Sequence, residues 1–311
     1  MIYPPLCFSA ADAELWESDA QEYVRRSLDV VEDYYSPRTA ATNLLVALTT
    51  SRAKDSLHGI VQACSTHLAA ARDATDITLL RKKDGALLAL GSLQKHLTKR
   101  DEYHGSLEAM LRAHVLPVLT SECGFLRHRA CWVYAQFAST VFKKSGDEGG
   151  DEGGSAQGIS PATEQMAQAF PLVMAALRDR DLPVRVQAAV TIRELVEQQC
   201  MPPSMVDMLP QLMEMLFSLL QEVGADEIVS TVDTLIEHYG EQMAPYAVQV
   251  VTALAASFMR LVDESAEEED EATLAALGVM NALSTMMEAV TGKAEIYQAM
   301  ESPLMPLFAR W

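Results

Sequence analysis

The stretch Met166-Ala-Gln-Ala-Phe-Pro-Leu-Val-Met-Ala-Ala-Leu177, followed by Arg178-Asp-Arg-Asp181 and then Leu182-Pro-Val-Arg-Val-Gln-Ala-Ala-Val-Thr-Ile-Arg-Glu-Leu-Val196, decides the fold. Met166, Phe170, Val173, Met174 and Leu177 fall at i, i+4, i+7, i+8 and i+11, which gathers them into one apolar stripe on a helix. Four charged residues end the pattern and Pro183 restarts it, because a first helical turn has no partner for the N–H that proline lacks. Val184, Ala188, Ile192, Leu195 and Val196 stripe the second helix, and Val186, Ala189 and Val190 widen its apolar arc. An arc that wide needs neighbours on both sides.

The same helical hairpin recurs along the chain. A basic or polar residue stands three positions before a small residue that opens an apolar helix at Arg38, Lys83, Arg127, Arg185, Glu227 and Asp270, in steps of 45, 44, 58, 42 and 43. The long step contains the glycine-rich acidic run Gly146 to Gly158, 13 residues without which it becomes 45. A period of 40 to 47 with two helices per unit is the signature of HEAT or armadillo repeats, in which each hairpin buries its apolar face on the next. Armadillo units use three helices. Pairs with a proline in the first member, at Pro117, Pro171, Pro210 and Pro306, favour HEAT, the proline making a recurring kink.

The expected fold is therefore all-α, a right-handed superhelical solenoid of HEAT-type repeats. First helices are expected at 55–71, 105–119, 161–177, 205–222 and 244–262, and second helices at 37–51, 79–98, 125–142, 183–198, 227–239 and 272–290. Residues 1–35 read as an irregular lead-in with one short helical piece near Asp19 to Val31. Ser36-Pro37 then supplies an N-cap and a first-turn proline. About five to six repeats fill 36–311, with acidic loops at 144–158 and 263–271. Exposed apolar surface and weak protection are expected at both ends.

Composition narrows the function. Apolar residues make up 49% and aromatics 6%, a helix-packing mixture, and 24 bases stand against 43 acids for a net charge of −19. Nucleic acid and anionic membrane would be repelled, whereas the acidity favours basic polypeptide partners or serves solubility alone. Five cysteines, with no Cys-x-x-Cys pair, fit a reducing compartment better than a disulfide scaffold. Met243 to Met259 lies in the longest uncharged stretch, and Pro245, Gln249 and Thr252 within it fit a packed repeat helix better than a membrane span.

No residue pattern points to catalysis. The seven histidines are scattered, no zinc spacing occurs, and the Gly146 loop lacks the Gly-Lys-Ser ending of a phosphate loop. No enzyme activity, metal or cofactor is expected. The cluster Met201, Met205, Met208, Met213 and Met215 reads as core filler, alternating with Leu209, Leu212 and Leu216. Arg81-Lys-Lys83 reads as the solvated start of a second helix, with Lys83 placed to pair with a neighbouring acid. The loop acids Asp147, Glu148, Asp151, Glu152, Glu267, Glu268, Glu269 and Asp270 are the candidates for attracting a basic partner; the bland alternative is that they are solvated linkers.

Four strings carry a family resemblance: Asp12-Ala-Glu-Leu-Trp16 with Asp19 and Glu22-Tyr23; Arg81-Lys-Lys-Asp-Gly-Ala-Leu87 with Gly91-Ser-Leu93; Ser121-Glu-Cys-Gly-Phe-Leu-Arg-His-Arg-Ala-Cys-Trp-Val133; and Leu182-Pro-Val-Arg-Val-Gln-Ala-Ala189. Through them the chain resembles the importin-beta superfamily of nuclear transport receptors, in the branch of importin seven and importin eight. Lys83 to Leu87 and Arg129 to Val133 are specific to that branch, whereas Pro183-Val-Arg185 suits any HEAT protein. Ala20 departs from the branch's usual proline, and the 146–158 loop is longer than the branch's own. The resemblance covers a middle portion of such a receptor. It implies a karyopherin that carries basic cargo, such as ribosomal proteins or histones, past nucleoporins and releases it on binding the small GTPase Ran. It also implies shuttling between cytoplasm and nucleus through the nuclear envelope. The alternative is a HEAT scaffold of another kind, such as a phosphatase regulatory subunit.

Overall fold

A computed structural model describes residues 3–28, 36–51, 53–141, 161–198, 200–202, 204–223, 226–264 and 269–308. Its helices are α1 (Tyr3–Leu6), α2 (Ala10–Ser18), α3 (Ala20–Leu28), α4 (Pro37–Ser51), α5 (Ala53–Ala70), α6 (Ile77–Ser92), α7 (Gln94–Leu97), α8 (Asp101–Met110), α9 (Gly124–Val141), α10 (Pro161–Ala176), α11 (Leu182–Glu197), α12 (Met205–Val223), α13 (Asp226–Met243), α14 (Ala247–Glu264), α15 (Glu269–Ala289) and α16 (Ala294–Phe308). The described residues contain no strand. They form two compact units, Met1–Thr191 with Gln198–Cys200, and Ile192–Glu197 with Met201–Trp311.

In the first unit α4 packs on α5, α5 on α6, and α6 on α9. The thread is a continuous core in which Leu87, Leu93, Leu111, Leu126, Tyr134, Phe137 and Phe170 are wholly buried. Each such side chain contributes roughly 1.5–3 kcal/mol relative to exposure. Caps fix the helix starts as the sequence suggests: the Ser36 hydroxyl accepts from the Thr39 N–H at 3.0 Å, and Asp76 accepts from Thr78 and Leu79 at 2.7 and 3.1 Å.

The lead-in differs from the expectation. It is helical over α1, α2 and α3 rather than over one piece, and it belongs to the core, with Leu6, Phe8, Tyr23 and Val24 buried. Ser9 and Asp12 form a reciprocal capping box that starts α2. Phe8 stacks on Phe125 at 4.5 Å, and Trp16 meets Tyr23 edge-on at 4.8 Å. Cys7 lies against Gly85 of α6, where a Cβ would come within 2.8 Å of its sulfur. The anchors come from three different repeats, so no local periodicity announces them.

Two further boundaries shift. The single helix expected at 105–119 is α8, then a π-turn over Leu111–Val115 and a 3-10 turn over Leu116–Thr120. Pro117 is the cause: its ring clashes with the carbonyl four residues back and it donates no hydrogen bond, so the helix first widens and then tightens. Pro171, Pro210 and Pro306 instead sit inside α10, α12 and α16. The acidic loop expected at 263–271 is shorter, because α14 runs to Glu264 and α15 begins at Glu269. Acids in a first helical turn face the positive end of the helix dipole, which favours starting α15 there.

In the second unit α12 packs on α13 and α14, α13 and α14 pack on α15, and α14 packs on α16. Met205, Met213 and Met215 are buried beside Leu209, Leu212 and Leu216, as core filler should be. Tyr239 interrupts α13 with φ −128° and ψ 24°, and Gly240 there lets Ala289 of α15 approach to 2.8 Å of where a Cβ would stand. Leu277, Met280, Tyr297 and Met305 are exposed.

Candidate functional site

The first unit is tied together by ion pairs between successive repeats. Arg38 of α4 donates to Asp12 of α2 at 2.6 Å, and Arg129 of α9 donates to Asp84 of α6 at 2.8 Å with both side chains buried. Arg127 reaches forward to Asp179 with Nε and Nη2 at 2.6 and 2.7 Å, to Asp181 at 2.9 Å, and back to the Ser121 and Glu122 carbonyls at 2.6 and 3.1 Å. Burial pushes the Asp179 carboxyl up, but the Arg127 hydrogen bonds outweigh it and hold the group below its ordinary range. His128 meets both Trp16 and Tyr23 edge-on, and desolvation, helped by Arg129 and Arg38, pushes its pKa down to about 3. These groups position helices and leave no acid or base poised over a vacant reaction site. A cavity of about 930 Å³ beside α2 carries both signs of charge, with Asp12 and Glu14 against Arg26 and Arg38.

Lys83 contradicts its expected role. It is 6% exposed rather than solvated, and it forms no ion pair with any described residue. The pairing role passes to Arg127 and Arg129 instead.

The acidity of the chain is unevenly placed. Residues 201–311 hold 18 of the 43 acids and 3 of the 24 bases, so this segment carries −15 of the net −19. One of those bases, Arg260, is committed to structure: it donates to the Leu220 and Gln221 carbonyls at 3.0 Å each and so closes the end of α12. On α13, Asp226, Ser230, Asp233 and Glu237 follow at i, i+4, i+7 and i+11; Asp226, Ser230 and Glu237 are exposed and Asp233 half-buried, while Ile228, Val232, Leu235 and Ile236 are buried. One Asp233 oxygen is buried without a hydrogen-bond partner. At the end of α11, Arg193 lies 3.5 Å from Glu194 and 3.7 Å from Glu197. It is also the cation acting on Glu227, whose carboxyl burial raises above its ordinary range. Two carboxylates thus flank one arginine, and a third feels its charge at longer range. A surface of this kind favours cationic partners.

Of the loop acids, Asp147, Glu148, Asp151, Glu152, Glu267 and Glu268 lie outside the described residues, while Glu269 and Asp270 stand in the first turn of α15. The α13 row was legible as an i, i+4, i+7, i+11 pattern, and the asymmetry as a count of charge by segment rather than over the whole chain.

No protein-family model matches the chain. It is 31% identical over 314 residues to the "Importin beta-like SAD2 homolog" of Arabidopsis thaliana, covering 100% of this chain and 29% of that protein. It is 28% identical over 313 residues to the "Probable importin-7 homolog" of Dictyostelium discoideum, covering 100% and 28%. Importin-8 of Homo sapiens is 31% identical over 306 residues, covering 97% and 27%. A chain from the solved structure of Kap95p with RanGDP superposes with a TM-score of 0.59 at 15% identity, covering 97% of this chain and 34% of that one. That likeness supports the fold, an all-α helical-repeat solenoid. The resemblance read from the sequence stands: the chain is a relative of importin-beta-like proteins along its whole length, and it spans less than a third of the length of the curated relatives it matches.

Proposed function

We propose that this chain is part of a nuclear import receptor, a karyopherin of the importin-beta kind, which binds basic protein cargo for Ran-dependent transport between cytoplasm and nucleus. The observation that carries the reading is the segregation of charge, −15 of −19 within residues 201–311, on a repeat scaffold related to importins. A helical-repeat solenoid offers extended surface rather than an enclosed pocket, which suits a polypeptide ligand. Ribosomal proteins and histones have the composition such a surface selects. Asp147, Glu148, Asp151, Glu152, Glu267, Glu268, Glu269 and Asp270 would add long-range attraction, reaching about 8 Å at physiological salt. Ran and nucleoporins are the further partners of this reading, and the nuclear envelope its place of work.

The test is a capture experiment with the intact receptor that contains this segment. Immobilised Ran loaded with GTP should retain the receptor, Ran loaded with GDP should retain much less, and Ran-GTP should displace a bound basic ribosomal protein. Equal retention by both nucleotide states, with no displacement, would point instead to a HEAT scaffold of another kind, such as a phosphatase regulatory subunit.

A further inference from the structure

Neither α13 nor α15 carries a lysine or arginine, yet the exposed sides of the two helices differ in kind. Asp226, Ser230 and Glu237 are exposed on α13, with Asp233 half-buried among them. Over 276–289 of α15 the exposed residues are Leu277, Met280, Asn281, Ser284 and Glu288, at i, i+3, i+4, i+7 and i+11, again one side of a helix. Val279, Ala282, Leu283 and Met286 form its buried side. Leu277 is 55% exposed and Met280 38%, so this row begins apolar where the α13 row is acidic.

The two rows lie side by side. α13 packs on α12, α15 on α14, and α12 on α14, so α12 and α14 form one layer beneath α13 and α15. The exposed sides of α13 and α15, turned away from that layer, therefore face the same way. Gly240 meets Ala289, which joins the last turns of the two helices. Packed on each other with those turns joined, α13 and α15 run parallel. Equal counts back from the joint set Met280 level with Thr231 and Leu277 level with Ile228, at equal rise per residue. The apolar pair thus stands beside Asp226, Ser230 and Asp233, one helix-to-helix spacing of roughly 8–10 Å away.

Charge alone selects poorly among basic partners, because exposed acids attract any polycation and fade with salt. Exposed leucine and methionine gain only when apolar surface covers them, and methionine adapts to varied shapes. An acidic row beside an apolar one favours a ligand that carries both characters on adjoining faces, as amphipathic helices do. We infer that α13 and α15 together form a docking face for a basic amphipathic helical segment, its bases against Asp226, Asp233 and Glu237 and its apolar side against Leu277 and Met280. This deepens the transport reading, on which it rests for a basic polypeptide as the ligand. What it adds is selection by pattern: of two segments with equal charge, the face holds the one whose bases and apolar residues are segregated.

The experiment uses the 311-residue chain and two labelled helical peptides of identical composition. One has lysines at i, i+4, i+7 and i+11 with leucines on the adjoining side, and the other has the same residues spread evenly around the helix. Fluorescence anisotropy should show the segregated peptide binding about tenfold tighter, the scale set by covering two partly exposed apolar side chains. That preference should survive high salt, although both affinities fall. Leu277→Gln with Met280→Gln, both at exposed positions outside the core, should erase the preference and leave the spread peptide's affinity unchanged. Asp233→Asn with Glu237→Gln should weaken both peptides. Equal binding of the two peptides, or a preference that outlasts the α15 substitutions, overturns the inference and leaves the basic-cargo reading standing. Affinities untouched by the α13 substitutions overturn it by placing the contact elsewhere. Binding of neither peptide at low salt overturns both the inference and the basic-cargo reading beneath it.

Discussion

Arg127 holds Asp179, 52 residues further along, through two parallel hydrogen bonds of 2.6 and 2.7 Å, and both side chains are about 10% exposed. The paired fork joins the start of α9 to the turn before α11, which makes it a fastening between one repeat and the next rather than a surface ornament. Removing one partner strands the other charge, and breaking a buried pair costs about 3–5 kcal/mol. Arg127→Ala should approach that loss. Arg127→Lys should recover little, because a point charge cannot reproduce the bidentate geometry. Denaturant unfolding of the two variants would check this, and near-wild-type stability of Arg127→Lys would show that charge alone matters.

Gly91 makes room for Trp132. A Cβ on Gly91 would stand 2.8 Å from one ring atom and closer to another, so the indole comes this close to α6 only because the side chain is absent. The same ring lies under the Arg129 guanidinium at 5.1 Å, which in turn donates to Asp84. Gly91→Ala should therefore cost about 1–3 kcal/mol by overpacking, despite alanine's better helix propensity. Pairing it with Trp132→Leu should return part of the loss in a double-mutant cycle. Additive effects would mean the two sites do not touch.

Acid should loosen the first unit before its carboxylates titrate. An unfolded histidine binds its proton near pH 6.5 and His128 in the fold near 3, so between these values the unfolded chain binds more protons. Stability contributed by neutral His128 is thus present above about pH 6.5 and is lost as pH falls. Asp12 and Asp179 are depressed in the fold, so their contributions begin to disappear only below about pH 4, the unfolded carboxylate range. Glu227, raised in the second unit, acts in the opposite sense, favouring the fold as pH falls toward its unfolded value. Discounted for partial exposure, His128 should cost about 1–2 kcal/mol between pH 7 and 5. Thermal scans at both values, with His128→Gln as the flattened reference, measure it. Identical pH slopes for the two proteins would remove His128 from the account.

The repeats were legible because each is local: a stripe, a charged turn and a second stripe occupy one period, and α10 and α11 follow Met166 to Val196 closely. The lead-in was not, because Phe8, Trp16 and Tyr23 find their partners at Phe125 and His128, more than a hundred residues away. Lys83 was misread for a related reason. A basic residue at the start of an amphipathic helix ordinarily meets water, whereas Lys83 is buried by the packing of its neighbours. For the candidate site, net charge points to basic partners, and the acidic row of α13 is readable only once that segment is known to be a helix with its other side in the core.

The α13 row supplies the last prediction. Asp226, Asp233 and Glu237 are spaced to face one side of a helix whose opposite side is core, and the nearby base in the segment, Arg260, is engaged with the end of α12. Charges in the middle of a packed helix act at contact as well as at range, whereas charges at or before a helix start are expected to act mainly at range. Neutralising Asp233 and Glu237 to Asn and Gln should then speed dissociation of a basic polypeptide as well as slow association. Neutralising Glu267, Glu268, Glu269 and Asp270 should mainly slow association. Both effects should shrink as salt shortens the screening length from about 10 Å at 0.1 M. Surface plasmon resonance with a basic ribosomal protein, at 0.05 and 0.3 M salt, separates the two rates. Unchanged dissociation in the Asp233, Glu237 variant would place the contact elsewhere, and an unchanged association rate at low salt in the second variant would remove those four acids from the attraction.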